Sequence, residues 1–148
     1  MIKYFETINE SLKGKVFAVW GLAFKEETDD MREAPAITII NELLEMGVKI
    51  ICYDPQAIKE AHKIFGDKVV YGTDKYSILK DADGLLILNE WKEFKEADFN
   101  IINLNLKNKA IFDGRNIYTL KEMLDNPFDY ISMGRESIYN YREQSIFV

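Results

Sequence analysis

The order of the apolar segments constrains the fold of this chain more than any other feature. Short apolar runs such as "KVFAVW", "VKIICYD" and "GLLILN" alternate with longer segments whose apolar side chains recur at helical spacing. The predicted strands are 15–20, 48–54, 68–71, 84–89, 109–113 and 128–134, and the predicted helices are 2–12, 35–47, 56–65, 74–81, 98–108 and 119–125. This alternation predicts right-handed βαβ units, and therefore an α/β fold with a doubly wound, mainly parallel sheet flanked by helices.

The composition excludes several classes of function. The net charge of the 148 residues is −6, and because nucleic-acid binding needs an excess of basic residues on one face, we expect no nucleic-acid partner. No apolar run is long enough for a membrane span, and residues 1–15 lack the features of a signal peptide. One cysteine, Cys52, and one histidine, His62, are too few for a zinc site of the Cys/His type. A single thiol also agrees with a cytoplasmic location.

Polar and charged residues follow the predicted strands at their carboxyl ends. In a doubly wound sheet, ligands bind outside these ends, near the point where the strand order reverses. The stretches at these positions are "GLAFK" (21–25), "YDP" (53–55), "NEW" (89–91) and "DGRN" (113–116). The cations there, Lys25, Arg32 and Arg115, would suit a phosphate or carboxylate ligand, helped by the start of the helix that follows the first strand.

The first of these loops is not a dinucleotide fingerprint. A G-x-G-x-x-G motif would need three glycines at positions where the chain has Gly21, Ala23 and Glu26. We therefore predict a sheet of the dinucleotide-binding type whose first loop does not bind a dinucleotide in the usual way.

Each candidate residue also has a purely structural interpretation, which the residues alone leave open. Lys25 and Arg32 could neutralise the acids around them, and Arg115 could be a solvated side chain beside a "DG" turn. Cys52 lies in an apolar strand and is expected in the core, whereas His62 lies on an amphipathic helix and is expected to be a surface or packing residue. No nucleophile and base stand out as a pair, so we predict no catalytic residue and no metal site.

Three stretches together resemble the C-terminal, UDP-binding domain of the UDP-glucose/GDP-mannose dehydrogenase family. They are "GKVFAVWGLAFKEETDDMREAPAITIINELLEMGVKIICYDP", "DADGLLILNEWKEF" and "IFDGRNIY". The motifs G-L-A-F-K, T-D-D-x-R-E-A-P, E-W-x-x-F and F-D-G-R-N stand in the order that the family shows, and the resemblance covers about 14–134. It implies a Rossmann-like domain that binds the nucleotide part of a UDP-sugar.

The resemblance also implies roles for residues in these motifs. Lys25 and Arg115 are expected to contact the UDP-sugar in a cleft between domains, and Phe24 is expected to present its backbone to the same ligand. Arg32 is expected to face the NAD cofactor, which the family binds mainly with a separate N-terminal domain. Asp29 and Asp30 are then expected to orient the loop and its two cations rather than touch an anionic ligand.

The length of the chain departs from the family. Family members are much longer, with an N-terminal NAD-binding domain and a central helical region that carries the catalytic cysteine and the main dimer contact. Cys52 does not match the setting of that cysteine. We therefore expect an excised, split or truncated part of such an enzyme. Alone it should be inactive and monomeric or weakly dimeric, with the missing regions as its partners.

Three functions stay open on the sequence. The motifs lean to the branch that oxidises UDP-glucose twice, to UDP-glucuronate, with NAD. Branches that act on UDP-N-acetylmannosamine or GDP-mannose share the first two motifs closely, and a non-catalytic nucleotide-binding or assembly module is the third possibility. In each case the expected division is a lead-in helix at 1–13, the binding domain at 14–134 and a tail at 135–148.

Overall fold

The structure is a computed structural model that describes residues 1–142. In chain order the elements are α1 (Ile2–Thr7), β1 (Val16–Trp20), α2 (Pro35–Glu45), β2 (Lys49–Tyr53), α3 (Ile58–Phe65), β3 (Val70–Tyr71), β4 (Gly84–Ile87), α4 (Lys92–Lys95), α5 (Phe99–Asn105), β5 (Ala110–Asp113), α6 (Leu120–Leu124), β6 (Asp129–Ser132) and β7 (Ile138–Tyr139). Over this range, no helix is long and apolar enough to cross a membrane.

The sheet topology confirms the predicted α/β fold. Within residues 1–142, seven strands form a sheet in the order β3-β2-β1-β4-β5-β6-β7. The first six strands pair in parallel, and only β7 is antiparallel to its neighbour β6. The chain builds outward from β1 to β3, returns to β4 beside β1, and then builds outward in the other direction. This reversal between β1 and β4 is where a doubly wound sheet opens a crevice for a ligand.

The strands supply alternate side chains to two hydrophobic cores, one on each face of the sheet. In β1, Phe17 and Val19 join the core that contains α1, α2 and α3, whereas Ala18 and Trp20 join the core that contains α4, α5 and α6. Because both faces are covered, the central strands are apolar along almost their whole length, as the sequence shows.

The first helix is short and packs against the sheet. The ring centroid of Tyr4 lies 5.4 Å from that of Phe112, and the centroid of Phe5 lies 5.7 Å from that of Phe17, both edge to face. The helix predicted over 2–12 ends at Thr7. Asn9 has a φ of 57°, a left-handed conformation in which a right-handed helix cannot continue.

Two further segments differ from the prediction. The segment 74–81 forms only a 3-10 turn, Ser77–Leu79, and the positive φ of 59° at Asp81 prevents its extension. Within the expected tail 135–148, the two residues of β7 join the edge of the sheet. Residues 143–148 of that tail lie outside the described residues, and the division at 13 and 134 stays a prediction.

Candidate functional site

Three of the predicted loops converge at one edge of the sheet. Trp20, the last residue of β1, lies beside Ile87 of β4, which in turn lies beside Asp113 of β5. Neighbouring strands are about 4.8 Å apart, so the loops "GLAFK", "NEW" and "DGRN" leave the sheet side by side. Lys25 and Arg115 therefore lie on the loops that flank "NEW", at the point of strand reversal.

Asp54, directly after β2, fixes the start of the first loop. It is 2% exposed, and its Oδ2 accepts hydrogen bonds from the amides of Leu22 (2.8 Å) and Ala23 (3.1 Å) and from Nδ2 of Asn89 (3.0 Å). Its Oδ1 accepts two more amide hydrogen bonds, both of 2.9 Å, just before α3. In dinucleotide-binding sheets an acid near this place binds the cofactor ribose. Here both oxygens are used inside the protein, so the domain does not fit NAD in that way.

Asn89 joins the first loop to the loop after β4. Its side chain is fully buried, and a Cβ atom added at Gly21 would lie only 2.5 Å from Asn89 Oδ1. Gly21 also has a φ of 99°, so only glycine fits this position without strain. The Oδ1 atom of Asn89 has no hydrogen-bond partner among residues 1–142. Asn89 thus packs directly against the turn that leads to Phe24 and Lys25.

Among Lys25, Arg32 and Arg115, Lys25 has the fewest side-chain contacts with the described residues. Its side chain is exposed and forms no ion pair or hydrogen bond with the part of the chain that the structure describes. The adjacent Phe24 is also exposed, and its amide donates a 2.7 Å hydrogen bond to the carbonyl of Asp30. Of the Phe24 backbone, which the resemblance assigns to ligand binding, the carbonyl oxygen is therefore the group left to contact a ligand.

Two of the three guanidinium nitrogens of Arg32 are hydrogen-bonded to Asp30. Its Nε and Nη2 donate to the two carboxylate oxygens at 3.1 and 2.9 Å, although the arginine side chain is 88% exposed. These hydrogen bonds are the main reason that the pKa of Asp30 is lowered to about 2. Both residues line a groove of about 370 Å³ together with Phe24 and Glu33. Nη1 is the nitrogen of Arg32 that lies outside the pair.

Arg115 has one side-chain contact and keeps part of its guanidinium free. Its Nη2 lies 2.9 Å from Oε1 of Glu90, and the two side chains are 33% and 34% exposed. Neither Nε nor Nη1 of Arg115 donates to another of the described residues. The backbone amide of Arg115 donates a 3.0 Å hydrogen bond to the buried Asp113, which fixes the loop. Arg115 can therefore donate to an anion while it remains paired with Glu90.

Asp113 and Arg135 form hydrogen bonds that hold the residues around the loop after β5. Oδ2 of Asp113 accepts hydrogen bonds from the hydroxyl of Tyr130 (2.6 Å) and the amide of Ile117 (2.8 Å). Burial and this contact raise the pKa of Tyr130 above its ordinary value, so its hydroxyl stays a donor. All three guanidinium nitrogens of Arg135 bind protein oxygens, at 2.7 to 3.0 Å. Arg135 is a structural cation and is not available to a ligand.

The one cysteine and the one histidine of the sequence lie outside these loops. Cys52 is buried, as expected, and burial raises the pKa of its thiol to about 12, so it is not a thiolate near neutral pH. His62 is exposed and stacks on Tyr71 with ring centroids 3.8 Å apart. Over residues 1–142, no group of three or more His, Cys, Asp or Glu side chains could hold a metal ion.

Sequence reasoning missed the acids that organise the site. Asp54 and Asp113 each end an apolar strand directly before a proline or glycine, and that pattern is a usable signal for an acid that binds the amides of the following turn. Glu90 carries no such signal, because its pairing with Arg115 depends on which strands become neighbours.

Comparison with known proteins identifies the family of this doubly wound domain. Residues 18–120 match the sequence model of the UDP-glucose/GDP-mannose dehydrogenase family, UDP binding domain. The match covers more than half of the chain, and the chain therefore belongs to this family, in which it corresponds to the UDP-binding domain.

Individual relatives agree with this assignment. The chain is 43% identical over 132 residues to UDP-glucose 6-dehydrogenase TuaD of Bacillus subtilis, covering 89% of this chain and 29% of that enzyme. It resembles the structure of a UDP-glucose dehydrogenase from Pyrobaculum islandicum with a TM-score of 0.70 and 29% identity, over 90% of this chain and 28% of that one. A UDP-D-ManNAc dehydrogenase from Pyrococcus horikoshii gives a TM-score of 0.71 and 25% identity over the same shares. The chain thus spans less than a third of the length of these relatives.

Proposed function

We propose that this chain binds the diphosphate of a UDP-sugar at the carboxyl ends of β1, β4 and β5, as the C-terminal domain of a UDP-glucose 6-dehydrogenase. The observation that carries the proposal is the pair of available cations, Lys25 and Arg115, on the loops after β1 and β5, the two neighbours of β4. The similarity to the Bacillus enzyme favours UDP-glucose as the sugar nucleotide.

Each site residue has a definite part in this proposal. Lys25 and Arg115 donate charge-assisted hydrogen bonds to phosphate oxygens, which are strong because both partners are ionised. The carbonyl oxygen of Phe24 accepts a hydrogen bond from the nucleotide. Arg32 uses its Nη1 to approach NAD that is bound mainly by another region of the enzyme, because Asp54 and the first loop of this domain do not suit the cofactor.

The complete oxidation is assigned to a longer protein. Cys52, the one cysteine of the sequence, is a buried thiol whose pKa is raised by burial, so it is not a nucleophile near neutral pH. We infer that the chain alone has no dehydrogenase activity and that its partners are the N-terminal and central regions of the enzyme, in the cytoplasm. Alone it would be a monomer or a weak dimer, without a nucleic-acid or membrane partner.

Isothermal titration calorimetry of the chain with UDP tests the binding site. Lys25→Gln and Arg115→Gln should each raise the Kd about tenfold, the effect of losing about 1.4 kcal/mol of charge-assisted binding. The Lys25 variant should show the larger effect, because Glu90 already compensates part of the charge of Arg115. Lys49→Gln, which removes an exposed lysine at the opposite end of β2, is the matched control and should bind like the unaltered chain. Unchanged affinity in both site variants would refute the proposal.

A second candidate is the UDP-N-acetylmannosamine branch, because the Pyrococcus structure is as similar in fold as the Pyrobaculum one. Titration with UDP-glucose, UDP-N-acetylmannosamine and GDP-mannose separates the branches by their ranking. Tightest binding of UDP-glucose is the expected result. Equal affinity for uridine and guanosine nucleotides would instead support a nucleotide-binding module without sugar selectivity.

A further inference from the structure

Glu90 places a negative charge in the middle of the proposed cation site. It follows β4, the strand between β1 and β5, so its loop separates those that carry Lys25 and Arg115. Its Oε1 contacts Nη2 of Arg115 at 2.9 Å, whereas its Oε2 receives no hydrogen bond from the rest of residues 1–142. About a third of the Glu90 side chain is exposed, so a ligand anion at Arg115 also meets this carboxylate.

The acids beside the arginines lower the net charge of the site. Asp30 neutralises Arg32, and Glu90 neutralises Arg115, so Lys25 alone of these three cations has no acid paired with it within the described residues. Glu90 repels every negative charge brought to Arg115. For an additional ligand charge about 7 Å from the Glu90 carboxylate in a water-like dielectric, this repulsion should weaken binding about threefold.

Free UDP carries more negative charge than a UDP-sugar at the end of its diphosphate. The terminal phosphate of UDP is a monoester with a charge of about −1.5 to −2 near neutral pH. When the same phosphate is esterified to a sugar, its second ionisation is lost, and the ligand carries about one negative charge less. The two ligands therefore present the same nucleotide with a different charge at the end of the diphosphate.

We propose that Glu90 is a specificity-determining residue that favours the sugar-linked diphosphate over the free nucleoside diphosphate. The inference rests on the proposed function, since it requires the diphosphate to lie at Arg115. Glu90 lowers the affinity for both ligands, but it lowers the affinity for UDP more, so a nucleotide without its sugar competes less well for the site.

The test compares the Kd for UDP with the Kd for UDP-glucose in the unaltered chain and in Glu90→Gln. Glutamine keeps the size of the side chain and an oxygen that accepts from Arg115, so the loop remains in place while the charge is removed. The ratio of the Kd for UDP to the Kd for UDP-glucose should fall about threefold in the variant. High salt should diminish the difference between the two proteins, because these charges are accessible to solvent.

Glu10→Gln is the matched control. Glu10 is also paired, with Lys15 at 3.0 Å, but it lies before β1 at the opposite edge of the sheet. This variant should keep the ratio of the unaltered chain.

The outcomes separate the inference from the proposed function. If the unaltered chain binds neither ligand, the proposed function fails, and the inference fails with it. If it binds both and Glu90→Gln leaves the ratio unchanged, only the role of Glu90 is wrong. Weaker binding of UDP-glucose in Glu90→Gln without a gain for UDP would also overturn the inference, because it would indicate that the carboxylate accepts a hydrogen bond from the sugar.

Discussion

The guanidinium group of Arg32 is shared between a neighbouring acid and solvent. Asp30 takes Nε and Nη2 in a bidentate contact, and the side chain is nevertheless the most exposed member of any ion pair in residues 1–142. Because the contact depresses the pKa of Asp30, the pair is intact at neutral pH. A ligand of Arg32 must therefore use Nη1 or displace Asp30.

The pKa of Asp30 provides a direct test of this pair. A folded-state pKa of about 2 is below the ordinary value, so the stabilisation by the pair is present above the ordinary value and is lost as the pH falls towards 2. Arg32→Gln should raise the pKa of Asp30 but leave it below that of an unperturbed aspartate, because the backbone amide of residue 32 still donates to Oδ1 at 2.9 Å. An NMR pH titration of the Asp30 carboxyl carbon measures the change.

Lys15→Gln is the control for this titration. It removes the partner of Glu10 before β1 and should leave the pKa of Asp30 at about 2. The same pKa for Asp30 in the Arg32→Gln variant as in the unaltered chain would contradict the side-chain pairing.

At the residue scale, the sequence predicted the positions of the cations better than their partners. Lys25 and Arg115 could be placed at strand ends, because strand ends follow from apolar runs. Which acid pairs with which arginine depends on loop geometry. Asp30 was one of five acids near Arg32, and Glu90 reaches Arg115 only because β4 and β5 are neighbours.

At the scale of elements, α1 is joined to the last described segment through a buried acid. Asp129 of β6 is fully buried, and its Oδ2 accepts a 2.7 Å hydrogen bond from the hydroxyl of Tyr4. Its Oδ1 accepts from the amides of Tyr141 and Arg142 at 2.9 and 3.0 Å. This network connects both ends of the described chain to the same strand, so α1 is part of the packed fold.

Removal of one hydroxyl should show how much α1 contributes. Tyr4→Phe keeps the ring against Phe112 but leaves buried Asp129 with one donor fewer, so the free energy of unfolding should fall by about 1–3 kcal/mol. Chemical denaturation measures it. Tyr139→Phe makes the same chemical change at a half-exposed ring and should alter stability by less than about 0.5 kcal/mol. Equal effects of the two substitutions would contradict the role of the Tyr4 hydroxyl.

The elements that the sequence predicted well are those with strong apolar patterns. Strands β1, β2, β4 and β5 carry continuous apolar runs and were placed within two residues of their ends. The two-residue strand β7 has no such pattern, since Ile138 and Tyr139 stand in a polar segment and pair only because β6 offers a free edge. The predicted helix at 2–12 was too long because the conformation of Asn9 is a local property that periodicity does not reveal.

At the scale of the whole molecule, the net charge of −6 opposes the binding of any anion. The sheet order places an unpaired lysine and a partly free arginine on the loops after β1 and β5, on either side of the loop after β4. The affinity for nucleotide should therefore depend strongly on which lysine or arginine is substituted and only weakly on the net charge of the protein. The opposite end of the sheet, with Lys15, Lys49 and β7, should then be indifferent to nucleotide.

The most direct measurement is a map of amide chemical shifts in the ¹⁵N-labelled chain during titration with UDP-glucose. The account predicts that the largest changes cluster at 21–25, 89–91 and 113–116, the three loops at the carboxyl ends of β1, β4 and β5. The amides of Lys15, Lys49 and β7, at the opposite end of the sheet, should keep their positions. Shifts concentrated at that opposite end, or no shifts at saturating ligand, would contradict the proposed UDP-sugar site.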